Sequence, residues 1–295
     1  MSASAIEWTD FTWNSFVGCS KISDGCKNCY AIRQAARVEA MGAARHYAGV
    51  TERTKGGPAN WSGKVVLAPD HIVNMPLRLP PGALVFVNSM SDFFHAEASD
   101  GMRERALETM AARPDVVFQI VTKRPEFVQP FLTRCGRDLP SNIWLGTTVE
   151  SSRYVGRVAT LRSVSAAVRF LSVEPLLDDV SREPSFELEG IDWVIVGGER
   201  ARPMHAAWVR RVRDICVAAG TPLFFKQWGG WRNNPLAYDG SGPLGKKKDV
   251  AALDNGGKGG ALLDGREWRE MPALHERSQE PLNKLANRRL DLVSG

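Results

Sequence analysis

Short apolar runs alternate with helical patterns along most of the chain. Such runs, flanked by amphipathic helices, are typical of parallel strands that are buried on both faces of an α/β sheet or barrel. A first run occupies 11–17, and six more follow at 84–88, 116–121, 143–146, 168–172, 193–196 and 222–225. The sequence therefore predicts an α/β protein with a full or partial (β/α) TIM-like barrel of about six to seven parallel strands.

Polar or ionisable side chains follow each of these runs at its carboxyl end. Because the carboxyl ends of parallel strands meet at one edge, where barrels and open α/β sheets bind their ligands, we expect these side chains to line one cavity. The candidate cofactor-binding residues are Ser89, Ser91, Asp92, Thr122, Lys123, Glu150, Glu174, Gly197, Gly198, Glu199 and Lys226. Lys123, Arg124 and Lys226 could hold a carboxylate or phosphate, or could instead pair with glutamates of neighbouring strands. The two glycines could form a plain tight turn. His95 is the one histidine that this pattern indicates as an acid or base.

The regular pattern covers residues 1–230, which we interpret as the barrel domain with an N-terminal cysteine loop. Helical spacing within it predicts helices at about 28–46, 100–112 and 206–219. Residues 231–295 form a C-terminal extension, with a flexible loop rich in glycine and lysine, a small hairpin at 262–272 and a closing helix at 281–292.

Three of the five cysteines, Cys19, Cys26 and Cys29, fall within eleven positions in the spacing C-x6-C-x2-C. Thiolates are soft ligands for zinc and for iron–sulfur clusters, and a four-iron cluster held by three cysteines keeps one iron open for another ligand. We therefore predict that these three residues bind a metal centre. Two alternatives remain at this point: a zinc ion with His46 as its fourth ligand, or thiols that are unliganded or form a disulfide.

Composition adds a few limits to this interpretation. The chain has 295 residues, 43% of them hydrophobic, and a net charge of +5. We expect no membrane span, since no apolar run approaches the length that one needs, and a cytoplasmic location, since the first ten residues lack the features of a secretion signal. Basic residues gather at 200–213 and 246–248, where they could bind nucleic acid or form an ordinary solvated surface. The absence of a G-x-S-x-G sequence argues against a serine hydrolase.

A series of ordered sequence blocks resembles the phage and bacterial three-Cys-motif protein family, which is regarded as radical-SAM-like. The blocks lie at 12–19, 26–30, 88–94, 122–125, 146–150, 171–175, 196–199, 225–229 and 263–266. This chain differs from the usual radical SAM pattern in that six residues, rather than three, separate its first two cysteines. Asn28 also precedes Cys29 where an aromatic residue is common.

The resemblance implies a [4Fe–4S] cluster on the three cysteines, with S-adenosyl-L-methionine bound to the fourth iron and a one-electron donor as partner. The implied activity is reductive cleavage of S-adenosylmethionine to a 5′-deoxyadenosyl radical, which acts on an unknown substrate, with a nucleotide or nucleic acid as one candidate. The rival hypotheses are a zinc- or cluster-containing nucleic-acid-binding protein without this chemistry, and a barrel hydrolase with a structural metal.

Overall fold

The computed structural model describes residues 4–53, 55–239 and 257–273. Its helices are α1 Tyr30–Met41, α2 Asp70–Val73, α3 Asp100–Ala111, α4 Val128–Cys135, α5 Arg157–Arg162 and α6 Ala206–Ala219. Its strands are β1 Phe11–Trp13, β2 Phe16–Val17, β3 Thr51–Arg53, β4 Ala59–Trp61, β5 Val66–Leu67, β6 Leu84–Val87, β7 Val117–Thr122, β8 Ile143–Thr148, β9 Val168–Val173, β10 Trp193–Gly197, β11 Leu223–Gln227, β12 Leu262–Leu263 and β13 Arg266–Glu267.

Seven strands form the main sheet, in the order β1, β6, β7, β8, β9, β10, β11, and every neighbouring pair is parallel. Strands that follow one another in the chain also lie side by side, which is the strand order of a (β/α) barrel. Within the described residues β1 and β11 do not pair with each other, so the sheet is an open half-barrel. The predicted α/β class and strand number are confirmed, and the full barrel is not formed.

Side chains of alternating strand positions face opposite sides of the sheet, and both sides are buried. The outer side packs against the helices in a large aliphatic and phenylalanine core. The inner side is filled near the amino ends of the strands by an aromatic cluster that includes Trp8, Trp144, Phe170 and Trp193. Gly146 belongs to this fit, because an added Cβ would lie 2.5 Å from the ring of Phe170. The cluster forms a packed floor below the carboxyl end of the half-barrel, the end at which α/β sheets and barrels bind their ligands.

The segment between β1 and β6 differs most from the prediction. The predicted strand at 11–17 divides in two, because β2 leaves the main sheet and pairs in antiparallel fashion with β5. The predicted helix at 28–46 ends earlier, at Met41, because Gly42 adopts a left-handed conformation with a φ of 68° that closes the helix. Residues 51–61, for which no strand was predicted, contain the antiparallel hairpin β3–β4.

The other two predicted helices are confirmed to within a residue. α3 begins after Ser99, whose hydroxyl accepts a hydrogen bond from the Met102 amide. α6 ends at Gly220, which has a φ of 66°. None of the helices in the described ranges is long and apolar enough to cross a membrane.

Residues 257–273 pack along the outer edge of β11. The Phe225 amide donates to the Trp268 carbonyl at 2.8 Å, and the Glu270 amide donates to the Leu223 carbonyl at 3.1 Å. These bonds cover a strand edge that would otherwise be open to another chain. The predicted hairpin is present as β12–β13, with Asp264 and Gly265 at its turn. Most of the predicted flexible loop, which includes residues 240–256, and the predicted closing helix at 281–292 lie outside the described residues.

Candidate functional site

The cysteine loop, residues 18–29, starts beside the carboxyl end of β6. The Gly18 amide donates to the Met90 carbonyl at 3.0 Å, and the Ser91 hydroxyl donates to the Gly18 carbonyl at 2.7 Å. Gly18 has a φ of 101°, and an added Cβ would lie 2.0 Å from the Lys64 carbonyl oxygen. Only glycine fits at this position. Ser91 therefore fixes the start of the loop, and its hydroxyl is already engaged in doing so.

From there the loop crosses the mouth of the half-barrel. Gly25 lies against the ends of β7 and β8, since an added Cβ would be 3.0 Å from Oε1 of Glu150 and 3.1 Å from Nζ of Lys123. Asn28 reaches the end of β10, where its amide donates to Oε1 of Glu199 at 2.9 Å. The loop and the predicted strand-end residues thus form one site.

All three loop cysteines are free thiols that are partly exposed. Cys19 and Cys29 pack against the same hydrophobic cluster, and Cys26 interacts electrostatically with both. Burial raises the pKa of Cys19 to about 12, with Asp92 adding to the shift, and burial also raises the pKa of Cys29. Without a cation these groups stay protonated at neutral pH, and a bound metal centre would supply the charge that favours the thiolates.

The described residues contain no group of three or more His, Cys, Asp or Glu side chains arranged to hold a metal ion. The zinc alternative gains no support, since the His46 ring packs against Tyr47, at a centroid distance of 4.8 Å, and interacts with His71. A disulfide is not formed among the described cysteines. Binding of a metal centre by Cys19, Cys26 and Cys29 stays a prediction.

Asp92 is the centre of a buried network rather than an open ligand. Its carboxylate accepts four hydrogen bonds, from the Thr122 hydroxyl at 2.6 Å, the Lys123 amide at 2.9 Å, the Arg124 guanidinium at 3.0 Å and the Phe94 amide at 3.0 Å. These donors use the lone pairs that a carboxylate offers. Asp92 and Thr122 therefore shape the wall of the site instead of presenting free groups to a cofactor.

Arg124 carries this network to the cysteine loop. Its Nη2 donates to the Ser20 carbonyl at 3.2 Å and to the Ser20 hydroxyl at 2.9 Å. Because Ser20 follows Cys19 directly, the buried Arg124–Asp92 ion pair fixes the backbone next to the first thiol. The sequence indicated Arg124 as a cation that could bind a ligand or pair with a glutamate, and the structure pairs it instead with Asp92.

His95 holds the same serine from the other side. Its Nδ1 accepts a hydrogen bond from the Glu97 amide at 3.1 Å, so Nε2 carries the proton and donates to the Ser20 hydroxyl at 2.8 Å. Burial, with help from the charge of Arg124, lowers the pKa of His95 to about 4. The histidine is neutral at pH 7 and positions the loop, an assignment that differs from the predicted acid or base.

Glu150 is fully buried at the end of β8 between two cations. Lys123 lies 3.1 Å from Oε1 and Arg157 lies 2.9 Å from Oε2. Burial raises the pKa of Glu150, but Lys123, a hydrogen bond from Ser23 and Arg157 together outweigh burial and bring it below its usual value. The carboxylate is therefore ionised, and the pairing of lysine with a neighbouring glutamate is confirmed.

A second pair, Glu174 with Lys226, lies across the ends of β9 and β11. The ammonium and the carboxylate are 3.0 Å apart, and the two side chains are 15% and 18% exposed. Gly197 lets Glu174 approach, because an added Cβ would lie 2.3 Å from its Oε1. Of the two lysine–glutamate pairs at the mouth, this one has the more accessible carboxylate, so it could exchange partners with a ligand that carries both an ammonium and a carboxylate.

Gly198 and Glu199 have packing roles that the sequence did not reveal. A Cβ on Gly198 would lie 2.2 Å from the Trp228 carbonyl oxygen, so this glycine is required by a close approach of backbone. Glu199 forms an ion pair with Arg202, whose Nη1 also donates to the Asp24 carbonyl at 2.8 Å. Burial raises the pKa of Glu199, but its hydrogen bonds from Arg202 and Asn28 dominate and lower it. Glu199 is therefore the ionised group that ties the cysteine loop to β10.

Ser89 and Tyr30 mark the opposite side of the mouth. The Ser89 hydroxyl donates to Oδ1 of Asn14 at 3.2 Å, and the Tyr30 hydroxyl donates to the Ser89 carbonyl at 3.4 Å. Tyr30 is 55% exposed, yet burial raises its pKa to about 12. The ring of Tyr30 is therefore accessible from solvent while its hydroxyl contacts the protein.

Several buried polar atoms at the mouth have no hydrogen-bond partner among the residues that the structure describes, and two of them belong to amide side chains that form no ion pair. These two are Nδ2 of Asn88, just after β6, and Oε1 of Gln227, the last residue of β11. A donor and an acceptor left free at the ends of two strands are suited to a bound polar molecule. Neither was among the predicted binding residues.

No match was found to a curated protein or to a solved structure. One protein family matches nearly the whole chain, over residues 3–272. The chain belongs to that family, which is described as a protein of unknown function, DUF5131.

Proposed function

We propose that this protein is a radical SAM-type iron–sulfur enzyme whose site is the mouth of the half-barrel. One observation carries the proposal: a loop with three free thiols lies across the carboxyl ends of parallel strands that present charged and unpaired polar groups. That edge is where α/β sheets and barrels hold their ligands. Cys19, Cys26 and Cys29 would bind a [4Fe–4S] cluster, which spreads its thiolate ligands over several irons.

The donor set of the mouth fits an amino-acid cofactor. When bound, the cluster and S-adenosyl-L-methionine supply an electron-driven cleavage that yields methionine and a 5′-deoxyadenosyl radical able to take hydrogen from a substrate. Lys226 and Glu174 would hold the carboxylate and the ammonium of the methionine part, since each already pairs with a group of that kind. Asn88 and Gln227 offer a free donor and acceptor for the rest of the cofactor.

The remaining residues keep the site ordered and dry. Asp92, Arg124 and His95 fix Ser20 beside the first cysteine. The aromatic floor of the half-barrel excludes water from below. A radical intermediate needs such a site, because water and mobile groups favour side reactions.

The test is anaerobic reconstitution with iron and sulfide, followed by metal analysis and electron paramagnetic resonance after reduction. The wild type is expected to bind about four irons, the full complement of one such cluster, and to form 5′-deoxyadenosine when given S-adenosylmethionine and dithionite. Cys26→Ser should lose the cluster signal. Cys135→Ser, which changes a partly exposed thiol on α4, is the matched control and should keep it. Protein that binds only zinc, or forms a cluster without cleaving S-adenosylmethionine, would refute the proposal.

The second candidate is a zinc- or cluster-containing nucleic-acid-binding protein without this chemistry. It is favoured by the concentration of positive charge around the cysteine loop, which has eight basic and three acidic residues between positions 20 and 64. The same charge would serve an enzyme whose substrate is a nucleotide or nucleic acid. Formation of 5′-deoxyadenosine separates the two candidates.

A further inference from the structure

One segment near the amino terminus has a large excess of positive charge. Residues 20–64, called here the basic excursion, comprise most of the cysteine loop, α1 and the hairpin β3–β4. This segment has eight Lys and Arg against three Asp and Glu, an excess of five, which equals the net charge of the whole chain. The rest of the sequence, summed as a whole, therefore has no net charge. An anionic partner is attracted to the surface that this segment forms.

The arginines that the sequence indicated as a nucleic-acid track are engaged elsewhere. Arg202 pairs with Glu199, Arg211 pairs with Asp179, and Arg210 and Arg213 both pair with Asp264. The lysines at 246–248 lie outside the described residues. The predicted track at 200–213 thus serves mainly to hold the fold together.

The basic excursion shows the opposite arrangement. Seven of its eight basic side chains are exposed and have no ion-pair partner among the residues that the structure describes: Lys21, Lys27, Arg33, Arg37, Arg45, Arg53 and Lys55. A charged side chain without a partner keeps its full attraction for an outside anion. So many unpaired cations on one side of the protein do little to stabilise the fold, and they favour the binding of an anionic partner.

Four exposed residues of this segment form a line that starts at the mouth. Tyr30, Arg33 and Arg37 follow one another within α1 at intervals of three and four, the spacing of one helix face, and Lys27 lies in the turn that precedes the helix. Tyr30 opens α1 directly after Cys29, and its hydroxyl contacts the Ser89 carbonyl at the mouth. We call this line the basic stripe, and it extends from the mouth outward along α1, which is about 18 Å long.

We propose that the basic stripe binds a single-stranded nucleic acid and directs one nucleotide into the mouth. The guanidinium groups of Arg33 and Arg37 match backbone phosphates, which are the regularly spaced anions of such a strand. The exposed ring of Tyr30 offers a face on which a base can stack at the point where the stripe meets the site. This inference rests on the proposed function, which makes the mouth the place of reaction. It adds the class of substrate, a single-stranded nucleic acid.

Fluorescence anisotropy with labelled 20-nucleotide DNA and RNA single strands tests the proposal, on protein as purified and after reconstitution. The logarithm of the binding constant should fall linearly with the logarithm of the NaCl concentration between 50 and 300 mM. Replacing two phosphate contacts, in Arg33→Gln with Arg37→Gln, is expected to weaken binding about tenfold and to reduce the salt slope by about 1.4 for a single strand. Arg33→Lys with Arg37→Lys should restore most of the slope.

The matched control separates the stripe from overall charge. Arg37→Gln and Arg78→Gln each remove one exposed positive charge, but Arg78 precedes β6 at the amino end of the strands. Only Arg37→Gln is expected to weaken binding. Equal effects of the two variants, no binding at 50 mM NaCl, or equally strong competition by polyglutamate would overturn the proposal. DNA and RNA arms show which strand is preferred.

The assay needs no iron, reductant or S-adenosylmethionine, so its outcome is independent of the redox test. Loss of nucleic-acid binding with 5′-deoxyadenosine still formed would refute this inference alone. Normal nucleic-acid binding without formation of 5′-deoxyadenosine would refute the proposed enzyme activity, while the basic stripe would stand as a nucleic-acid-binding surface.

Discussion

The Asn28 amide donates a hydrogen bond of 2.9 Å to Glu199, a residue 171 positions further along the chain. This contact joins the cysteine loop near the amino terminus to the carboxyl end of β10. Arg202 strengthens the connection, because it pairs with Glu199 and also binds the Asp24 carbonyl of the same loop. The thiols therefore take their place from the sheet as well as from their own sequence.

Replacing Glu199 with glutamine should weaken this connection. The amide keeps the size of the side chain but cannot form the ion pair with Arg202, so we expect the free energy of unfolding to fall by about 1–3 kcal/mol. Urea denaturation followed by circular dichroism measures it. Glu187→Gln is the control, since Glu187 is 60% exposed beside Arg162 and its loss should cost less than about 1 kcal/mol. Equal losses in the two variants would contradict the role given to Glu199.

Asp92→Asn should be more damaging. The substitution leaves Arg124 buried, with the side chain only 6% exposed and without its counter-charge. Removing one partner of a buried pair typically costs about 3–5 kcal/mol. The loss is measured by urea unfolding at pH 7, and Arg124→Gln in the Asp92→Asn background should recover part of it. A single variant as stable as the wild type would show that the network is not needed.

His95 predicts a pH dependence of stability. Burial lowers its pKa from 6.5 in the unfolded chain to about 4 in the folded protein, so the unfolded state binds the proton more readily between these values. The contribution to stability is fully present above pH 6.5 and is lost as the pH falls towards 4. The loss amounts to about 3 kcal/mol.

The measurement compares the unfolding free energies of the wild type and His95→Gln at pH 7.5, 6, 5 and 4. The difference between the two proteins should change across this range, because only the wild type has the buried imidazole. Parallel profiles for the wild type and His95→Gln would contradict the prediction.

Gly198→Ala tests the close approach of two backbone segments. The new methyl group would meet the Trp228 carbonyl oxygen, which is backbone and cannot rotate away. Overpacking of this kind costs about 1–3 kcal/mol, and a lower melting temperature is expected. Gly156→Ala is the control, because no atom lies within 4 Å of the added Cβ and its φ is −55°. Equal melting temperatures for both variants would show that Gly198 has no such constraint.

The main sheet could be predicted from sequence because each strand carries its own signal. The runs that became β6 to β11 are apolar on both faces, and a strand with that composition is stable only inside a covered sheet. β2 and β3 gave no comparable signal, since they are two and three residues long and depend on partners elsewhere in the chain. The open edge of the half-barrel was also undetermined, because closure depends on the curvature of the whole sheet.

The sequence by itself determined that three thiols lie within eleven positions and that charged residues follow the strands. Only the tertiary structure decided which of those charges are engaged. It showed that Asp92 belongs to a buried network, that Lys123 and Lys226 pair with glutamates, and that Arg33 and Arg37 have no such partner among the described residues. The physical reason is that a residue's type is local, whereas the partners that neutralise its charge come from distant parts of the chain.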